Sequence, residues 1–141
     1  MFWFQKEITL AYKSRGFHLV TDEILSFIPE IKKINIGLAY FFIKHTSASL
    51  TLNENFDPTV RADMENYFNK FVPENETYYQ HTSEGRDDMP SHIKSSLLGT
   101  GLTIPITNGR LNIGTWQGIY LNEHRNRAKE RTVVVTLMGQ E

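Results

Sequence analysis

The stretch LTIPITNGRLNI, residues 102–113, decides the fold class. Leu102, Ile104 and Ile106 alternate with Thr103, Pro105 and Thr107, the period of a strand with one buried face. Asn108 and Gly109 follow, and both residue types tolerate the positive φ that a two-residue turn needs to match strand twist. Leu111 and Ile113 then resume the alternation, so the segment predicts an antiparallel hairpin closed by a type I′ turn. Downstream, residues 115–121 and 132–137 are rich in β-branched and aromatic side chains and read as further strands. Upstream, Pro90 opens a short helix that Gly99 can close, and the polar stretch from Glu74 to Asp88 has too little periodicity for anything but a long ordered loop. Asp57-Pro58 starts another helix, because Asp accepts from free N–H groups while Pro fits the first helical position. Val60, Met64, Phe68 and Phe71 form its expected buried stripe.

Nearer the N-terminus, residues 34–43 are apolar on both parities, which predicts a central strand buried on both faces. Thr21, Asp22 and Glu23 make an N-cap and acidic first turn for a short helix ending at Pro29. Phe2, Phe4, Ile8, Leu10 and Tyr12 share one parity and predict a half-buried first strand, with Lys6 as the exception. No repeat, low-complexity run or linker interrupts residues 1–141. The expectation is a single α+β domain, β-rich, an antiparallel sheet sandwich or barrel-like fold with a few covering helices.

Composition narrows the chemistry. At 141 residues and 40% hydrophobic, the chain has enough apolar side chain for one core. Its 15 basic and 16 acidic residues leave a net charge of -1, which gives no broad attraction to nucleic acid or an anionic membrane. The sequence contains no cysteine, which excludes disulfides, cysteine zinc ligands and a thiolate nucleophile. No apolar run is long enough to span a bilayer and no export signal is visible, so a cytoplasmic location is expected.

His45, His81 and His92 each sit beside hydroxyl or acidic residues at an expected element end, and His81 and His92 bracket Glu84, Asp87 and Asp88. Imidazole and carboxylate together suit a divalent metal, zinc or magnesium, with His45, His81, His92 and Asp88 as its candidate ligands. Histidines at such spacings also occur as hydrogen-bonded loop residues, and both readings stand. Asp88 precedes Pro90 and can cap the helix, whereas Asp87 has no such duty and is the expected catalytic carboxylate. Ser47 and Ser49 follow His45, but the G-x-S-x-G pattern of a nucleophile elbow is absent, leaving strand or substrate-contact roles. The second dense segment contains Trp116, a stacking face, and Gln117, a bidentate amide, both candidates for substrate binding. Glu123 and Arg125 share parity; they suit an internal ion pair, or else Arg125 grips a phosphate and both act in catalysis. Arg127, Lys129 and Arg131 are expected in a solvated turn.

HTSASLTLNENFDP (residues 45–58), YYQHTSEGRDDMPSHIKSSLLG (78–99), LTIPITNGRLNIGTWQGIYLNEHR (102–125) and the ending RTVVVTLMGQ (131–140) together resemble the YjbQ family across nearly the whole chain. The resemblance implies a β-rich fold assembled as a homotrimer, with histidine and acidic motif residues gathered in a pocket of metal-binding type. It also implies a secondary thiamine-phosphate synthase activity, joining hydroxymethylpyrimidine diphosphate to a thiazole phosphate with release of pyrophosphate. On that reading a metal neutralises the diphosphate, Arg125 or Lys94 holds phosphate oxygens, Trp116 stacks on the pyrimidine, and Asn55 and Ser47 join the substrate contacts. Many relatives carry cysteine before the residue matching Glu123; this chain has Asn122, which excludes a thiol role there. Two other functions fit the same residues: a metal-dependent hydrolase of a small phosphorylated or amide substrate, and a nonenzymatic binder of a pyrimidine or thiamine-like ligand.

Overall fold

The structure, a computed structural model, describes residues 1–141. Its strands are β1 (Phe2–Leu10), β2 (Gly16–Leu19), β3 (Ile36–Ile43), β4 (Ala48–Glu54), β5 (Gly101–Thr107), β6 (Arg110–Leu111), β7 (Gln117–Glu123) and β8 (Arg131–Gln140). Helices α1 (Thr21–Phe27), α2 (Pro58–Phe71) and α3 (Asp88–Leu98), with a 3-10 turn at Pro29–Lys33, complete the chain. The strands form two antiparallel sheets, β1-β8-β3-β5-β6 and β2-β7-β4. The expected α+β fold with antiparallel sheets is what the chain adopts. No helix is long and apolar enough to cross a membrane.

The core lies between the sheets. Ile8, Leu10, Phe41, Ile43, Ile104, Ile106, Val133, Val135 and Leu137 come from the larger sheet and meet Leu50, Ile119 and Leu121 of the smaller one. Ile24 of α1 and Ile28, Ile31 and Ile34 around the 3-10 turn close one end. Lys6 breaks the parity of β1 at little cost, because its amine reaches the Phe27 carbonyl at 3.2 Å while lying over the Phe27 ring. The hairpin between β5 and β6 turns as expected, with φ of 52° at Asn108 and 74° at Gly109.

Several expectations change. Residues 34–43 are not buried on both faces: β3 is central in its sheet, but only Ala39, Phe41 and Ile43 face the core, and Ile36, Leu38, Tyr40 and Phe42 are exposed. The doubly buried strand is β7, whose residues 118–123 are all buried, because the larger sheet covers one side and α2 and α3 the other. Thr21 does not cap α1; its hydroxyl accepts from the Ile119 amide at 2.8 Å, tying the helix to β7. In α2 the capping by Asp57 is present, with its carboxylate accepting from the Thr59 amide at 2.9 Å. No residue of α2 is fully buried: Val60, Met64 and Phe68 of the expected stripe are half-buried, and Phe71 is exposed. Phe68 instead stacks on Phe17 of β2, at 6.0 Å between centroids, and so seats the helix on the smaller sheet.

Candidate metal centre

α3 starts two residues before Pro90, at Asp88, and the long loop before it carries His81 back over the helix start. Asp88 and His92 are one helical turn apart and therefore share a face. The Asp88 carboxylate, 1% exposed, receives both imidazoles on Oδ2: His81 Nε2 at 2.6 Å and His92 Nε2 at 3.1 Å. The three donor atoms lie within 4.8 Å of one another, and the two rings are 5.3 Å apart between centroids.

The second nitrogen of His92 decides what this cluster can hold. His92 Nδ1 lies 2.9 Å from the Thr46 carbonyl, which only accepts, so Nδ1 carries a proton. A neutral His92 then turns the lone pair of Nε2 toward a carboxylate oxygen, two acceptors in contact with nothing between them. Either a second proton on His92 or a cation shared by His81, Asp88 and His92 removes that conflict. The carbonyl–imidazole bond is also the outer-shell contact that fixes a metal-ligating histidine in its tautomer. Two imidazoles and one carboxylate, with further positions open to water or substrate, match a catalytic zinc-type site better than a magnesium site, which prefers oxygen ligands.

Arg125 organises the acidic pair. It donates through NH1 to Asp88 Oδ1, through Nε to Asp87 Oδ2 at 2.9 Å and through NH2 to the Glu84 carbonyl at 2.9 Å. Asp87 Oδ2 also accepts from the Asn126 amide at 2.8 Å. Burial works to raise both carboxyls, but their hydrogen-bond partners and the Arg125 guanidinium outweigh it: His81, His92 and Arg125 lower Asp88, and Asn126 and Arg125 lower Asp87. Both are anionic at neutral pH. Asp88 thus keeps its expected place beside the histidines but caps no helix, and Asp87, expected to be free for catalysis, has a structural duty. Asp87 is the clamp for Arg125 and the chain at Asn126, while Asp88 faces the histidines. Neither side chain caps α3.

Other sequence-derived candidates fall elsewhere. His45 does not join the cluster; its Nε2 accepts from the Thr132 amide at 2.8 Å. Burial, with Arg131 nearby, holds the His45 imidazole below its usual value. Glu123 pairs with Arg131 and not with the Arg125 guanidinium: Arg131 Nε and NH2 meet its two oxygens at 2.7 and 2.6 Å. Arg131, expected in solvent, is 8% exposed and also donates to Ser47 Oγ at 2.9 Å, which removes Ser47 from substrate contact. Lys94 is buried and donates to Asn69 at 2.8 Å. Burial, then Arg15, depresses its amine.

Asn55 donates to the carbonyls of Thr115 and Gln117, and Gln117 Oε1 accepts from the Gly114 amide at 2.8 Å, so both brace the turn before β7. Trp116 is 61% exposed, edge-on to Phe56 at 5.6 Å. It stands at the opposite end of β7 from Glu123 and Arg125, about 20 Å away along the strand. A stacking face there cannot serve a ligand held at Asp88 within one chain. What sequence reasoning missed is Thr46, whose carbonyl reaches His92 across 46 positions and leaves no side-chain signal.

Comparison with known proteins agrees with the fold and its residues. A family model described as UPF0047 protein YjbQ-like matches residues 6–140. The UPF0047 protein YjbQ of Escherichia coli O157:H7 is 58% identical over 138 residues, covering 98% of this chain and 99% of that protein. A UPF0047 protein of Synechocystis sp. is 42% identical, with 96% and 92% covered. Among solved structures, a yjbq/upf0047 family protein from Clostridium acetobutylicum superposes with a TM-score of 0.79 at 32% identity, covering 96% of this chain and 99% of that one. A YbjQ-like protein from Sulfolobus solfataricus P2 shares the fold, with a TM-score of 0.86 at 22% identity over 98% of both chains.

Proposed function

The chain belongs to the YjbQ-like UPF0047 family, and from that premise we propose that it is a metal-dependent enzyme acting on a small phosphorylated molecule, with His81, Asp88 and His92 as the protein ligands. The observation that supports this reading is the contact of Asp88 with the second nitrogen of His92, which in a neutral ring sets two acceptors face to face and which a cation shared with His81 relieves. A zinc-type ion held there would supply Lewis acidity and a charge for a substrate oxygen. Arg125 holds the Asp88 carboxylate in place and offsets its charge. The Thr46 carbonyl fixes which nitrogen of His92 is free.

Hydrolysis is the reaction that the arrangement favours. Condensation with loss of pyrophosphate needs protein cations on two phosphorylated substrates, and Arg125 and Lys94 are both spent inside the protein. The synthase activity is the second reading, carried by the family resemblance and by Arg86, which lines a cavity of about 250 Å³ beside His81. The deciding experiment incubates zinc-loaded protein with phosphate monoesters in one arm and with the pyrimidine diphosphate and thiazole phosphate in the other. Phosphate release that EDTA abolishes supports hydrolysis; a condensed product identified by mass supports the synthase. A purified protein that binds no divalent ion overturns both.

The same proposal takes the active species to be a cytoplasmic homotrimer. Its support is the outer face of the larger sheet, where Trp3 of β1 and Ile36, Leu38, Tyr40 and Phe42 of β3 stand exposed on either side of β8. An apolar face of this kind is typical of surface that a further subunit covers.

A further inference from the structure

We propose that the cavity beside His92 is an oxyanion subsite, in which His45 donates a hydrogen bond to the bound anion and takes no part in holding the metal. The cavity, about 450 Å³, is bounded by His45, Thr46, His92, Ser95, Ser96 and Thr100. Every lining side chain is thus an imidazole or a hydroxyl, and no carboxylate faces a bound anion. The nearest carboxylate of the cluster, Asp88, is buried and offset by Arg125.

His45 supplies the directional element. Its Nε2 accepts from the Thr132 backbone N–H, and a backbone N–H can only donate, so that nitrogen bears the lone pair. The proton of the neutral ring is therefore on Nδ1, and Nδ1 has no hydrogen-bond partner in the protein. Among the hydroxyls, Ser95 is already committed to the Ala48 carbonyl at 2.9 Å, while Thr46, Ser96 and Thr100 make no side-chain hydrogen bond. One fixed N–H and three free hydroxyls form a neutral donor set suited to a phosphate group.

Position links this subsite to the cluster. His45 and Thr46 are consecutive, and the Thr46 carbonyl holds His92 at 2.9 Å. His92 thus belongs both to the metal ligand set and to the cavity wall. A phosphate in the cavity would lie beside a cation held by His81, Asp88 and His92, which would supply charge for its oxygens while His45 donates to it. The assignment rests on the metal reading above for that neighbouring charge, and on the His45 tautomer for the donor.

Two variants separate the two nitrogens. His45→Gln can keep an acceptor for Thr132 but has no donor at the Nδ1 position; His45→Asn keeps a donor there and loses the acceptor. Metal content, thermal midpoint and inorganic phosphate binding would be measured on the zinc-loaded full chain. In parallel, long-range proton–nitrogen spectra of histidine-labelled protein would be recorded with and without phosphate. The expected result is unchanged zinc content in His45→Gln and phosphate binding weaker by roughly tenfold or more. His45→Asn should bind phosphate within about threefold of the parent, and the parent should show His45 protonated on Nδ1 with that resonance moved by phosphate. Loss of zinc in His45→Gln, unchanged phosphate binding in that variant, or a His45 Nδ1 signal indifferent to phosphate overturns the assignment. A parent that binds no zinc overturns the metal reading, and the response of His45 Nδ1 to phosphate in the same sample still decides the subsite.

Discussion

Asp88 Oδ2 lies 3.1 Å from a His92 nitrogen whose ring is already protonated on its other side toward Thr46, so that a neutral His92 sets two acceptors face to face. One turn of α3 enforces the contact, and Arg125 holds the carboxylate against it. A positive charge stabilises this geometry, and its removal separates the roles of the two neighbouring aspartates.

Asp88→Asn is expected to lower metal affinity at least a hundredfold, because it removes the only anionic ligand of the set. Asp87→Asn should keep the metal and lose about 2 kcal/mol of stability, since it weakens a charged hydrogen-bond pair to Arg125 and Asn126. Metal analysis and chemical denaturation of both variants check the pair. Equal metal loss in the two would merge their roles again.

Glu123→Gln leaves the Arg131 guanidinium buried without its counter-charge, and a cost of about 3–5 kcal/mol follows. Zinc content of whatever folds should be unchanged, because Glu123 does not touch the His81–Asp88–His92 cluster. A variant as stable as the parent would show that Arg131 finds another partner.

His124 is buried beneath Phe17 and bonded to Ser49 at 2.9 Å; burial first, then Lys94, Arg131 and Arg15, push its imidazole down to about 3. Between that value and the ordinary value of 6.5 the unfolded chain binds a proton that the folded one refuses. Folding stability is therefore full above about 6.5, falls as the pH drops toward 3 by up to about 1.4 kcal/mol per unit from this residue, and takes no further loss from it below. Urea midpoints from pH 8 to pH 4 measure the slope. In His124→Gln that slope should be shallower by about one proton.

Gly37 and Gly139 face each other across β3 and β8, and a side chain on either has no room: a Cβ at Gly37 would lie 2.1 Å from the Met138 carbonyl oxygen. Because the obstruction is backbone, Gly37→Ala should cost about 1–3 kcal/mol or prevent folding. Gly99→Ala meets no neighbour within 4 Å and serves as a control limited to its strained φ of 104°.

Tyr40 and Phe42 stack at 6.4 Å on the exposed face of β3. If that face joins three subunits, light scattering of the parent gives a trimer mass, and Tyr40→Glu with Phe42→Glu gives monomers that keep the circular dichroism of the parent. A parent that runs as a monomer at micromolar concentration rules out this use of the face.

The sequence by itself determined what depends on neighbouring positions. Alternation placed β1 and β5, Asn108-Gly109 specified a turn whose positive φ values few other pairs adopt, and Asp57-Pro58 began α2, since each is a backbone preference or a local hydrogen bond. The residue types of the candidate centre, histidines beside an acidic pair, were visible in the same way. Tertiary structure alone decided which strand is covered on both faces: β3 carries the more apolar sequence, but α2 and α3 lie over the sheet of β7. It also decided which charges meet. Arg125 reaches Asp88 across 37 positions, the Thr132 amide takes His45 across 87, and Arg131 rather than Arg125 takes the Glu123 carboxylate. A charge pairs with whatever the fold brings within about 3 Å, and no local pattern encodes that partner, because the cost of burying the charge is met only after distant segments have packed.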